Sequence, residues 1–178
     1  SRIIGYSFFF ISLMKKQIMI NDDKVKHVQK SIVSFKFKLF LLFKLPMGFL
    51  CGMRVKELNN ESCQVTVPYK WLNKNPFRST FWAVLGMAAE MNGAALLLQY
   101  TQGQTPSVST YPVTCEAEFI KKATDVTTFT CHDGLMVREK VKESMETCEG
   151  IRLETVMNGL NQNGDLICKF KFIWSIKS

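Results

Sequence analysis

Apolar positions in residues 24–46 (KVKHVQKSIVSFKFKLFLLFKLP) recur near helical spacing, at Val25, Val28, Ile32, Phe35, Leu39 and Leu42, as one face of an α-helix requires. Pro46, which has no backbone N–H to donate, ends that helix. Phe37, Phe40, Leu41 and Phe43 make its last turns apolar almost all round, so the pattern predicts a covered helix, packed on the domain or on a partner subunit, with a membrane surface as the rival. The period then changes to two. Residues 53–58 read as a strand, Asn59 and Asn60 as a turn, and residues 62–71 as a second strand in which Cys63, Val65, Val67, Tyr69 and Trp71 alternate with polar neighbours. A loop through Pro76 leads to Ser79 or Thr80 as N-cap of a helix over residues 80–100.

That helix carries one charged side chain, Glu90, and is apolar enough to require wrapping by protein or by lipid. A carboxylate at a bilayer centre would cost roughly 2.5 to 3.5 kcal/mol, which favours protein. Strand alternation returns at Val113, Cys115, Ala117 and Phe119, and residues 125–132 follow as an apparent neighbour in a pair. A short helix with Val137, Val141, Met145 and Cys148 on one face precedes a strand over residues 151–160, a turn at 161–164, and a closing strand with Leu166, Cys168, Phe170, Phe172, Trp174 and Ile176 on one side. A sheet with one apolar face and a helix apolar all round cover each other. The expected class is therefore α+β: one antiparallel sheet wrapped around a long central helix, with an N-terminal helix, forming a single domain over residues 24–178.

At 178 residues, 47% hydrophobic and 21% charged, the chain can bury a core without a metal or disulfide staple. Residues 3–13 form an apolar run the size of a signal-peptide core, too short to span a bilayer, followed by Lys15 and Lys16 where a small-residue cleavage site would stand. Residues 1–23 are accordingly expected to be an extension, with Met14 the natural start. The net charge of +8 is concentrated in residues 1–56, where eleven Lys or Arg face only Asp22 and Asp23. A solvated face is the commoner use of such a segment, so neither a membrane surface nor, without paired RNP motifs, nucleic acid is the expected partner. The six cysteines have no CxxC spacing and only two histidines, His27 and His132, accompany them, which argues for reduced thiols in a cytoplasmic protein and against a metal site.

The stretch NPFRSTFWAVLGMAAEMNG, residues 75–93, resembles the approach to the central helix in hotdog-fold thioesterases related to the phenylacetate-pathway enzymes, in a branch with an Asn-Pro-Phe-x-Ser-like approach. The resemblance implies a hotdog fold, an acyl-CoA or acyl-carrier substrate, no cofactor beyond that thioester, and a site formed between subunits of a homodimer or tetramer. In active relatives a His-Gly-Gly turn opens the helix and an acid follows nine positions after the His. Here that spacing from Phe81 reaches Glu90, while the turn reads Phe81, Trp82, Ala83.

Thioester hydrolysis needs polarisation of the carbonyl, which free N–H groups at a helix N-terminus supply; Phe81 and Trp82 are the candidates. It needs a base or nucleophile, for which Glu90 is the candidate. Asn75 would orient water or the acyl group, and Arg78, Ser79, Thr80, Lys121 and Lys122 would meet the substrate, the lysines at the coenzyme A phosphates. Each has a structural alternative: Asn75 as a turn residue, Ser79 and Thr80 as caps, the lysines as an exposed strand end, and Glu90 as a group held across a subunit interface. Cys131 beside His132 is no thiol–imidazole pair, because adjacent strand residues point to opposite faces. Bulky Phe81 and Trp82 would obstruct a pantetheine channel. The expected function is acyl-CoA thioester hydrolysis; the alternative is a non-catalytic acyl-binding protein.

Overall fold

Asn21 caps the first helix, its side-chain oxygen accepting from the Lys24 N–H at 3.1 Å, and α1 (Asp22–Val33) begins two residues before the expected start. The structure, a computed structural model, describes residues 19–178; the apolar run at 3–13 and Met14 lie outside the described residues. The single N-terminal helix of the sequence reading is broken into two, and a short third helix that it did not include follows. At Ser34 the backbone is extended (φ −76°, ψ 163°), and its hydroxyl donates to the Ser31 carbonyl at 2.7 Å, the local bond by which serine competes with helix. Then follow α2 (Phe35–Lys44) and α3 (Pro46–Cys51). As expected, α2 stops ahead of Pro46: Leu45 is non-helical at φ −143°, ψ 65°, as the residue before a proline tends to be, and Pro46 itself then stands in the first turn of α3, where its missing N–H costs nothing. Gly52, at φ 75°, ends α3 in the left-handed conformation.

The break at Ser34 shifts the helical phase. Val25, Val28 and Ile32 are buried as expected, but the buried residues of α2 are Phe37 and Leu41. Phe35, Leu39 and Leu42, expected on the covered stripe, are exposed.

Six strands form one antiparallel sheet in the order β1-β2-β4-β5-β6-β3: β1 (Arg54–Leu58), β2 (Cys63–Val67), β3 (Ser109–Phe119), β4 (Thr127–Cys131), β5 (Ile151–Leu160) and β6 (Leu166–Lys177). Asn59 makes the turn after β1, accepting from the Glu61 and Ser62 N–H groups at 2.8 Å each. Pro68 follows the last residue of β2, so Tyr69 and Trp71 fall outside the strand they were expected to extend. β3 does not pair with β4. It pairs along its whole length with β6, from Ser109↔Lys177 to Phe119↔Cys168, because the twelve-residue β6 offers its eleven residues a ladder that the five-residue β4 cannot.

The sheet curls around α4 (Trp82–Thr101), the central helix. From Cys168 on, the alternation expected in β6 is present: Cys168, Phe170, Phe172, Trp174 and Ile176 are buried, with Phe172 and Trp174 stacked at 5.5 Å between ring centres, whereas at its start Leu166 is half-buried and Ile167, expected on the other face, is buried. Asn92 bolts the helix to the sheet, donating to the Cys63 and Phe129 carbonyls at 3.0 and 2.9 Å. Gly93 permits that approach, since a Cβ there would stand 2.4 Å from Met157 Cε and 2.9 Å from Trp174 Cζ2. The last helix, α5 (Gly134–Thr147), buries Val137, Val141 and Met145; Cys148, expected on the same face, ends it exposed at φ 58°. This is the hotdog arrangement. No helix among the described residues is long and apolar enough to cross a membrane.

Candidate functional site

The central helix is not covered all round. Trp82, Ala83, Gly86, Met87, Glu90 and Leu98 form an open or half-open stripe, the i, i+4 spacing of one helix face. Most of that stripe walls a cavity of about 430 Å³, closed on the other side by Pro112 to Cys115 of β3 and by Phe170 and Phe172 of β6. Glu90 is exposed in this lining. Cys115 lies near it: burial, then the negative charges of Glu90 and Glu116, push the Cys115 thiol above its ordinary pKa. Gly86 lies in the wall of this cavity, where an added Cβ would stand 3.4 Å from Phe170 Cε1, at ordinary van der Waals contact.

A second groove, about 340 Å³, lies at the start of the helix and is lined by Asn75, Ser79, Thr80, Trp82, Lys121 and Lys122, among others. Trp82 belongs to both cavities. The structure thus brings six of the sequence candidates together at the helix start and sets Glu90 in the adjoining space. Phe81 and Arg78 line neither; Arg78 is exposed in the loop with φ 59°.

The occupied polar groups decide what this groove can do. Asn75 accepts from the Phe77 and Ser79 N–H groups at 3.0 and 3.2 Å and donates to Ser79 Oγ at 3.1 Å. Its side chain closes its own loop through these bonds. Thr80 is buried and donates from its N–H and hydroxyl to the Ala123 carbonyl at 2.8 and 3.2 Å. Neither Ser79 nor Thr80 caps α4; the N-cap is Phe81, without a side-chain cap bond. Lys121 is paired with Asp165 at 3.2 Å, and Lys122 donates to the Phe77 carbonyl at 3.2 Å.

The expected oxyanion donors need one correction. The Phe81 N–H is taken, donating to the Asn73 carbonyl at 2.7 Å. Asn73 itself is buried and anchors the loop through Cys51 and Pro68 carbonyls at 2.9 and 2.6 Å. The first helical N–H groups, those of Trp82 and Ala83, have no acceptor among the described residues, as an uncapped helix start requires. Ala83, Cys115, Gly86 and Asn73 were missed by the sequence reading. Only Asn73 and Gly86 carried a signal, as a polar residue and a helix-interior glycine, and neither type announces its partner.

Cys131 is buried, with its thiol pushed up to about 12 by that burial, and donates to Asp133 Oδ2 at 3.3 Å. The neighbouring His132 is exposed, so the two face apart as expected. Among the described residues no three His, Cys, Asp or Glu side chains gather as a metal-holding group.

Compared by sequence, the chain matches no family model and no curated protein. Compared by fold, it is similar to a Pseudomonas aeruginosa protein of unknown function described as a probable thioesterase, with TM-score 0.68 and 15% identity, covering 91% of this chain and 99% of that one. A Chlorobaculum tepidum protein of unknown function aligns with TM-score 0.68 and 17% identity over 80% of this chain and 93% of that one. A Haemophilus influenzae thioesterase aligns with TM-score 0.57 and 15% identity over 78% and 87%. At these identities the likeness establishes the shared fold.

Proposed function

We propose that this protein hydrolyses an acyl thioester, acyl-CoA or an acyl-carrier conjugate, with Glu90 as base or nucleophile and the open N–H groups of Trp82 and Ala83 as the oxyanion site. The observation that carries the reading is the pairing of an uncapped helix start with a carboxylate facing an apolar cavity on the same helix. The N–H groups supply two donors and the positive end of the helix dipole. The carboxylate activates water or attacks the carbonyl carbon directly; in the second case the thiolate leaves as an acyl-enzyme forms, and water then releases the acid.

Within one chain these groups are too far apart to share a carbonyl, because eight residues at about 1.5 Å rise separate them by about 12 Å. A homodimer in which two central helices run antiparallel across a two-fold axis would bring Glu90 of one subunit to the helix start of the other. β3 supports such an assembly: it is an eleven-residue edge strand, exposed along almost its whole length, and an edge of that kind recruits a further strand. The structural neighbours described as thioesterases support the reaction class.

One observation favours the alternative, a non-catalytic acyl-thioester binder. Trp82 stands between the two cavities, where a coenzyme A arm would pass from the lysines to the apolar space. Incubation with short, long and aromatic acyl-CoAs, followed by free-thiol release, tests both. The thioesterase releases thiol, and Glu90→Gln lowers the rate by about 10²- to 10⁴-fold with the fold intact. Binding of acyl-CoA without release by the wild-type chain would instead assign the binder.

A further inference from the structure

We propose that the outward face of α2 and α3 docks the protein on an anionic phospholipid surface. Taking Phe35 as zero and roughly 100° per residue, Phe37 and Leu41 fall near 200° and 240°, the side packed on the domain, while Phe35, Leu39, Leu42 and Phe43 fall between about −20° and 80°. The helix therefore presents its larger apolar face away from the protein. Phe35 is 71% exposed and Phe43 78%; α3 continues the surface with Met47 at 58% and Leu50 at 49%.

The charges around this face have one sign. Lys36 and Lys38 flank the apolar stripe at about 100° and −60°, and residues 24–56 hold seven lysines and one arginine with no aspartate or glutamate. A cavity of about 460 Å³ opens beside the face, in which Lys38, Arg54 and Lys70 stand over apolar walls from Phe35, Leu39 and Leu42, with no acid in the lining. Apolar side chains framed by cations match a lipid surface, where the first enter the acyl boundary and the second meet phosphate. A second copy seated on the same face would set lysines against lysines, so charge disfavours that occupant. The proposal stands independently of whether the protein is a hydrolase.

The test is co-sedimentation of the full chain with phosphatidylcholine vesicles with and without phosphatidylglycerol. Binding is expected on the anionic vesicles and to weaken as salt rises. Leu39→Ser with Phe43→Ser should weaken it at least about tenfold, and Lys36→Gln with Lys38→Gln should reduce both the affinity and its salt dependence. Leu39, Phe43 and Lys36 are exposed and Lys38 is half-buried at the rim, outside the buried core, so both variants should keep a cooperative thermal unfolding transition followed by circular dichroism. Absence of binding overturns the proposal, as does binding that the serine pair leaves undiminished or that neutral vesicles match. Retention on polyglutamate beads without vesicle binding would assign the face to an acidic protein. Loss of an oligomer in the serine pair without loss of vesicle binding would assign it to a second copy. Either outcome overturns the proposal.

Discussion

Cys115 and Cys148 are the two exposed thiols of six, and only Cys115 lines the cavity beside Glu90. If acyl-CoA occupies that cavity, it should slow labelling of Cys115 by N-ethylmaleimide and leave Cys148 unaffected, whether or not the thioester is cleaved. Peptide mapping by mass spectrometry reads both sites at once; equal rates with and without ligand would place the substrate elsewhere. Cys63, Cys131 and Cys168, all buried and all with thiols pushed up by that burial, should react only on unfolding. Glu90 was legible because it is the one charge in an apolar helix. The bonded state of Asn75 and the occupied N–H of Phe81 were not, since both depend on bonds to atoms that the local pattern does not specify.

A second residue-level pair joins two elements. Asp22 at the start of α1 meets Arg138 of α5 at 2.8 Å, and the hydrogen bond from Arg138, more than its charge, lowers the Asp22 carboxyl below its ordinary value. A carboxyl lowered in the folded state stabilises above its unfolded value, about 3.9, and the contribution disappears as pH falls through the folded value. Asp22 is largely solvent-exposed, so the term is discounted to about 1 kcal/mol or less. Urea unfolding should therefore show Asp22→Asn slightly less stable at pH 7, with the difference gone in strong acid.

Among the elements, α4 rests on a conflict between propensity and packing. Glycine inside a helix costs up to about 1 kcal/mol relative to alanine, yet a methyl group at Gly93 would press on Met157 and Trp174, and overpacking of this kind costs about 1–3 kcal/mol. Gly93→Ala should lower the urea midpoint; a rise would mean that Met157 moves aside freely. The helix interior and the alternation of β6 were both legible from the chain, because each is a period of its own side chains. The division of the N-terminal helix at Ser34 was not, although SFKFK at residues 34–38 contains its cause: a serine able to bond its own backbone competes with helix only where packing rewards the break.

For the whole molecule, the exposed edge of β3 is the feature that a monomer leaves unexplained. Sedimentation velocity should show a dimer. Lysines introduced at Tyr111 and Ala117, both exposed on β3, should shift it toward monomer by placing like charges across the paired edge. If the reacting groups come from two subunits, acyl-CoA turnover should fall in parallel. A monomer at all concentrations would separate Glu90 from any second helix start and remove the shared-site mechanism. The exposed face of α2 and α3 belongs to this scale too, since none of the described residues covers it.

The amino-acid sequence by itself determined the strands, the long apolar helix, its single carboxylate and the need for sheet and helix to cover each other. Those follow from periodicity and from the cost of exposing apolar surface. The tertiary structure alone decided that β3 lies beside β6, that Trp82 and Ala83 hold the free N–H groups, and that the apolar side of α2 looks outward. Each of these is settled by which distant atoms reach a given group first, and local period carries no information about distant partners.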